Sequence, residues 1–258
     1  MEITLNSIAP DASLTKWYRE QMQGMMDDMR SDVIQDVVKR YQSEIAMDGI
    51  LEWMGHVIDG LVSKWVKNLD SISDGIAKEL VGRSKTNYDK RLHSLLRRRG
   101  FTVNFKHTQF VQDQAQIALE ENVALIKSVG NQYLDKVRSA VWRSVKNGYD
   151  LESLVKQLKE IDGVTDRRAK NIAKDQVAKL NQAFEMARAE ELGITEAIWV
   201  HSGASKTPRA SHKKANGTRY NIKEGCYIDG EFIQPAWLPM CKCRAKLVIE
   251  IPDKLINQ

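Results

Sequence analysis

Only three cysteines occur in 258 residues, and an odd number of thiols argues against a disulfide framework. No apolar run approaches the length of a membrane span, so a membrane partner is not expected. The first 29 residues lack the basic-then-apolar order of a secretory signal, because Met1 to Met29 is mixed and acidic. The chain also has no Walker phosphate loop, His-Glu-x-x-His pair, EF-hand loop or dinucleotide fingerprint. It has no Gly-x-Ser-x-Gly elbow, and the segment from Ser202 to Asn216 holds no carboxylate. Repeats and low-complexity tracts are missing too. The expectation is a chain made and used in a cytoplasm, with one or two domains and a substantial core.

What is present begins with an uneven charge. Residues 1–60 hold 11 acids against 5 bases, so the remainder carries the whole positive excess of a chain whose net charge is +5. Two basic clusters stand out. One runs from Arg83 to Lys106 and contains Arg97, Arg98 and Arg99. The other, Lys206 to Arg219, contains Lys213 and Lys214 and no acid. Such clusters attract phosphate backbones by releasing counterions, without reading sequence. A solvated helix face or a protein contact is the alternative.

Most of the chain has helical periodicity. Met22, Met25, Met29, Val33, Val37, Tyr41 and Ile45 mark one amphipathic helix. Ile50, Trp53, Val57, Leu61, Trp65 and Leu69 mark a second, weakened by Gly49, Gly55 and Gly60. Ile76, Leu80, Leu92, Leu95 and Leu96 extend the helical pattern to a stop at Gly100, and Phe101–Phe105 is a short strand or an extended connector. The methionines and tryptophans here are core or helix-interface residues. Helix resumes from Thr108 to Ile126, again from Asn131 to Lys146 with a stop at Gly148, and briefly through Leu151, Leu154, Val155 and Leu158. Thr165 reads as an N-cap, with Asp166 in the first turn of a helix over 166–192 that Gly193 ends. Beyond it, Ala197–Ser202 reads as a strand, Tyr227–Ile233 as a hairpin around Asp229-Gly230, and Lys246–Ile251 as a final strand.

The order of motifs in the last sixty residues is the most specific feature. Ile198-Trp199-Val200-His201-Ser202-Gly203 is followed by Thr207-Pro208-Arg209-Ala210-Ser211-His212, then Asn216-Gly217, Asp229-Gly230, and Cys241-Lys242-Cys243-Arg244. Upstream stand Arg168-Ala-Lys-Asn-Ile-Ala-Lys-Asp-Gln176, Glu121 to Ser128, and Gln132-Tyr133-Leu134. Together these resemble the Mu F-like phage minor head proteins, also called head morphogenesis proteins, over roughly 108–250. The resemblance implies a minor head protein of a tailed phage or prophage. Its implied partners are the portal protein, a capsid or scaffold protein and double-stranded DNA. Its implied place is the head interior, after assembly in the host cytoplasm. Some relatives of this kind are implicated in DNA packaging or ejection.

The polar residues are compatible with three chemistries. Cys241 and Cys243 suit a zinc site completed by His212 and either Cys226 or His201. The spacing is not the usual Cys-x-x-Cys, however, and small buried thiols packing a turn are the simpler reading, so no cofactor is expected. Some relatives carry an extra Cys-x-x-Cys where this chain has Arg209 and His212. Ser211-His212 with Ser202, Ser205 and His201 suggests hydrolysis, but no orienting acid is near in sequence. The third reading is a structural polar cluster of Asp175, Gln176, Trp199, Arg209, Ser211, His212, Asn216, Gly217 and Arg244. In it, Asp175 and Gln176 are buried partners for groups such as Arg209 or Arg244, and the loop is shaped around the Asn216-Gly217 turn.

The expected architecture is α+β. A mostly helical region spans 1–107, and a Mu F-like region spans 108–258, with one long helix packed on a few short strands at about 166–251. The expected function is binding, not catalysis. Amphipathic helices would dock on portal or capsid, and Arg97, Arg98, Arg99, Lys213 and Lys214 would face DNA. Within these 258 residues there is no room for an appended catalytic domain. A zinc-dependent nucleic-acid-processing enzyme or toxin-like domain is the competing expectation.

Overall fold

A computed structural model describes residues 2–39, 50–148, 150–204 and 207–250. Tyr41, Ile45, Gly49, Ser205, Lys206 and Ile251, which figure in the readings above, lie outside the described residues, as does the side chain of Ile50. The fold is α+β. Four long helices are α1 (Ala12–Val33), α2 (Ile50–Arg98), α3 (Gln109–Lys146) and α4 (Leu151–Glu191). A π-helical turn, Ile34–Lys39, continues α1, and a five-residue helix α5 covers Ala210–Lys214. Strands β1 (Glu2–Thr4), β6 (Arg244–Glu250), β2 (Glu196–Val200) and β3 (Arg219–Asn221) form an antiparallel sheet in that order. Strands β4 (Cys226–Ile228) and β5 (Glu231–Ile233) form a separate hairpin.

Two compact units divide these elements, and the division differs from the boundary at 107/108 read from the sequence. One unit takes 16–79 and 119–173, and the other takes 1–15, 80–118 and 174–258. Each long helix contributes residues to both. Periodicity along a chain cannot show this, because which helix segments pack together is a tertiary choice.

Helices are longer than the sequence reading expects. Gly55, Gly60, Gly75 and Gly82 all lie within α2. A helical glycine costs about 1 kcal/mol relative to alanine, which burial of residues such as Met54, Ile58, Ala77 and Leu80 on the same helix outweighs. Likewise α3 runs unbroken through Gly130. A Cβ there would meet the Leu69 methyl carbons at 2.7 and 2.8 Å, so glycine lets α2 and α3 approach closely. Thr165 caps nothing. It lies inside α4 and its hydroxyl donates to the Ile161 carbonyl four residues back. Asp166 pairs instead with Arg30, which also meets Asp27 and Asp162.

The unit of 16–79 and 119–173 is a helical bundle. Tyr18, Met22, Met25, Met26, Met29 and Val33 form the buried stripe of α1. Tyr18 donates to Asn122 on α3, and the Trp65 indole on α2 donates to Asp32 on α1. Arg168 on α4 bonds Ser128 and Gln132 on α3. The glycine stops are as read: Gly100, Gly148 and Gly193 have φ of +87°, +78° and +67°.

The other unit holds the sheet. Segment 174–191 of α4 is buried nearly all round, although it carries Gln176, Gln182, Glu185 and Arg188. Ala197, Trp199, Tyr220, Ala245 and Leu247 supply the buried positions of β2, β3 and β6. Registers pair Trp199 with Ala245 and Ala197 with both Leu247 and Tyr220. Strand β1, in a region read as helical, pairs Glu2 with Glu250 and Thr4 with Val248. The hairpin β4–β5 turns at Asp229 and Gly230, whose φ values of 55° and 87° suit a tight two-residue hairpin turn. Phe101–Phe105 is an extended connector, not a strand.

Candidate metal centre

Three short pieces of chain meet beside Trp199. Helix α5 carries His212, the loop before β6 carries Cys241 and Cys243, and β2 carries Trp199 at its buried position. His212 Nδ1 lies 3.4 Å from Cys241 Sγ and 3.7 Å from Cys243 Sγ. The three ligand atoms lie within 4.8 Å of one another, and all three residues are buried. The His212 ring stands edge-on to Trp199 at 5.3 Å and 86°. His212 Nε2 is buried and has no hydrogen-bond partner among the described residues.

The electrostatics favour a thiolate. The Cys243 thiol, donating to Cys241, holds the Cys241 thiol below its ordinary range, helped by the backbone of Cys243 and Ala236. The same bond and burial push the Cys243 thiol up. Among the described residues the buried Trp199 indole meets no acceptor at hydrogen-bonding geometry, yet it favours charge on Cys243.

A pocket of about 250 Å³ opens on this group. It is lined by the three residues themselves and by His201, Ser202, Arg209 and Lys242. Arg209 is exposed and donates to the Pro239 carbonyl at 3.1 Å, which ties α5 to the cysteine loop. The Met240 N–H donates to Asp175 at 2.6 Å, which ties the same loop to α4. Asn216 accepts the His201 N–H at 2.8 Å, and the Gly217 N–H donates to the Trp199 carbonyl at 2.8 Å. Gly217 sits at φ +89°, a region costly for other residues.

Several sequence expectations fall elsewhere. Among the described residues Asp175 meets no guanidinium; it accepts the Met240 N–H and pairs with Lys179. Arg244, at the start of β6, acts instead through its charge on the Glu185 carboxyl, whose pKa it lowers. Cys226 is buried in β4, outside the ligand group, and burial pushes its thiol up. Gln176 is buried on α4, while Ser211 is half-buried and its carbonyl accepts the Ala215 N–H. Among the described residues no serine hydroxyl bonds to His201 or His212. Arg97, Arg98 and Arg99 are exposed at the end of α2, and Lys213 and Lys214 are exposed on α5.

Two buried ionic sites escaped the sequence reading. Arg188 forms a two-pronged pair with Asp89, both bonds at 2.7 Å, and also bonds Glu191 and the Lys106 carbonyl. Its guanidinium lies 4.7 Å from the Phe105 ring centre. Three residues before it, Glu185 is fully buried, and that burial pushes its carboxyl up to about 8, against the pull of Ala245, Tyr88 and Arg244. The one sequence signal was charge within a helix stretch rich in apolar residues.

The comparisons with known proteins agree with the motif order. Residues 135–246 match the family model described as Phage Mu protein F like protein. An uncharacterized protein of Haemophilus influenzae is 29% identical over 208 residues, covering 78% of this chain and 46% of that protein. The chain thus spans less than half the length of the curated relative it matches. No solved structure matches. The segment similar to the Phage Mu protein F like family, 135–246, contains His212, Cys241, Cys243 and the β2 strand beside them.

Proposed function

We propose that this chain is a minor head protein of a tailed phage or prophage. It acts by binding portal, capsid or scaffold protein, and DNA, during head assembly, packaging or genome ejection. The observation that carries this reading is the family match over 135–246. The exposed Arg97–Arg99 and Lys213–Lys214 sites support the DNA part, and neither Arg97 nor Arg99 has an ion-pair partner among the described residues. Among the described residues no helix is long and apolar enough to cross a membrane. The reading is of a binding protein, with the virion head interior as its place and the host cytoplasm as its site of assembly.

Head association is the direct test. Mass spectrometry of purified proheads and virions should find the chain at far lower copy than the major capsid protein, and a portal pull-down should retain it. Its absence from both particles would sink the reading. The DNA part has its own measurement. Replacing Arg97, Arg98 and Arg99 together with alanine should weaken duplex binding about equally for unrelated sequences, and should lower the salt slope by up to about three units. An unchanged slope would move this cluster to a protein contact.

A second reading, a zinc-dependent nucleic-acid-processing enzyme, draws on the pocket beside His212. A nuclease assay with and without zinc separates the two.

A further inference from the structure

We propose that His212 Nδ1, Cys241 Sγ and Cys243 Sγ bind one zinc ion whose remaining coordination position faces the pocket lined by His201, Ser202 and Arg209. The geometry is that of a tetrahedral site. With zinc–sulfur and zinc–nitrogen bonds of about 2.3 and 2.0 Å, adjacent nitrogen and sulfur ligands stand about 3.5 Å apart. The observed separations of 3.4 and 3.7 Å bracket that value.

The hydrogen-bonding capacity of the imidazole nitrogen does not account for both of its sulfur contacts. An imidazole nitrogen has one lone pair or one proton, so Nδ1 satisfies one thiol and not two. Here one buried nitrogen faces two buried sulfurs at similar range. Two thiolates and a neutral imidazole, in contrast, neutralise a dication, which makes burial of the whole set tolerable. That donor set is soft to borderline and suits zinc over magnesium or calcium. Zinc bound at Nδ1 places the ring proton on Nε2, against the surroundings that include Trp199.

His201 also lines the pocket, but its Nδ1 accepts the Gly203 N–H at 3.2 Å. Its neutral ring therefore carries its proton on Nε2, as a donor and not as a lone-pair ligand. The fourth position is left to an oxygen ligand, water by default, with the His201 N–H, Arg209 and Lys242 among the groups around it. Three protein ligands plus an open position is the pattern that admits an exchangeable ligand. The arrangement is independent of the head-protein reading, because metal content is measured on the purified chain whatever particle it joins.

Elemental analysis of the full chain, purified without chelator, should find about one zinc per chain. The variants C226S and H201A should keep it. C241S, C243S and H212A should each lower zinc content or affinity at least about tenfold. A wild-type chain that neither carries zinc nor takes it up from buffer overturns the proposal, as does full zinc retention in a C241S/C243S chain. Loss of zinc in H201A overturns the open position. Where the cysteine variants do not fold, cobalt(II) in the wild-type chain decides. A tetrahedral visible spectrum with sulfur-to-metal charge transfer upholds the site, and an octahedral spectrum without it refutes it.

Discussion

Replacing Arg188 with alanine should destabilise the unit containing the sheet by about 3–5 kcal/mol, the usual cost of removing one partner of a buried ion pair. Arg188 is 1% exposed, and it holds Asp89 on α2, Glu191 on α4 and the carbonyl of Lys106 in the connector before α3. Burial by itself would lower its pKa, and the bonds to Asp89 and Glu191 more than offset this, so the guanidinium stays charged. Among the described residues, its loss would leave Asp89 with only Lys85 at 3.7 Å and Glu191 with only the Lys106 N–H, on side chains 19% and 7% exposed. The Phe105 ring would also lose the cation above it. Lysine should rescue only part of the loss, because it cannot form the two-pronged pair with Asp89 and still reach Glu191 and Lys106. Chemical denaturation of wild type, Arg188→Ala and Arg188→Lys measures this. A loss below about 1 kcal/mol in the alanine variant would mean the network is no better than a surface pair.

The second large effect is a pH dependence carried by Glu185. The groups around its carboxyl are Tyr88 from α2, Tyr220 from β3, and Arg244 with the backbone of Ala245 from β6. Its pKa rises from 4.5 to about 8 because the buried carboxyl resists ionisation. Between these values the unfolded chain has released the proton that the folded chain keeps. The folded state thus binds more protons, and raising the pH favours unfolding. Stability from this group is fully present below the lower value and is lost as pH climbs through the upper one. The slope is at most about 1.4 kcal/mol per pH unit, and the total is on the order of 5 kcal/mol. Glu185→Gln keeps the shape and the acceptor of the neutral acid, so it should flatten the fall between pH 5 and 8 and make the protein more stable than wild type at about pH 8. Urea midpoints measured across that range would show it. Parallel slopes for the two proteins would place the charge compensation elsewhere.

Both sites show where sequence reasoning stops. Arg188 and Asp89 are 99 residues apart, and neither stands out in its own helical stretch. Glu185 was invisible because a glutamate in a helix is usually on the solvated face. Its burial follows from a helix segment covered nearly all round, a property of its neighbours. The continuity of α2, α3 and α4 was hidden for a related reason: glycine and threonine carry small local penalties that packing overrides. Strand β1 has no local signal at all, since three residues become a strand only by pairing with β6 at the other end of the chain.

The sequence by itself determined the helix stops at Gly100, Gly148 and Gly193, the Asp229-Gly230 hairpin, the strand after Gly193 and the order of C-terminal motifs that resembles the Mu F-like proteins. These are legible because backbone conformation at a turn and the spacing of short motifs are written in adjacent residues. Tertiary structure alone decided that His212 joins Cys241 and Cys243 while Cys226 stays apart, that Asp175 receives a backbone N–H instead of a guanidinium, and that segments of the same helices serve two compact units. The pairing of β2 with β6 brings Trp199 opposite Ala245, beside the cysteine loop, and the turn at Gly217 returns the chain from α5 to the Trp199 carbonyl. Strand register and helix packing are long-range choices made by burial, so no local pattern could have announced which side chains would meet.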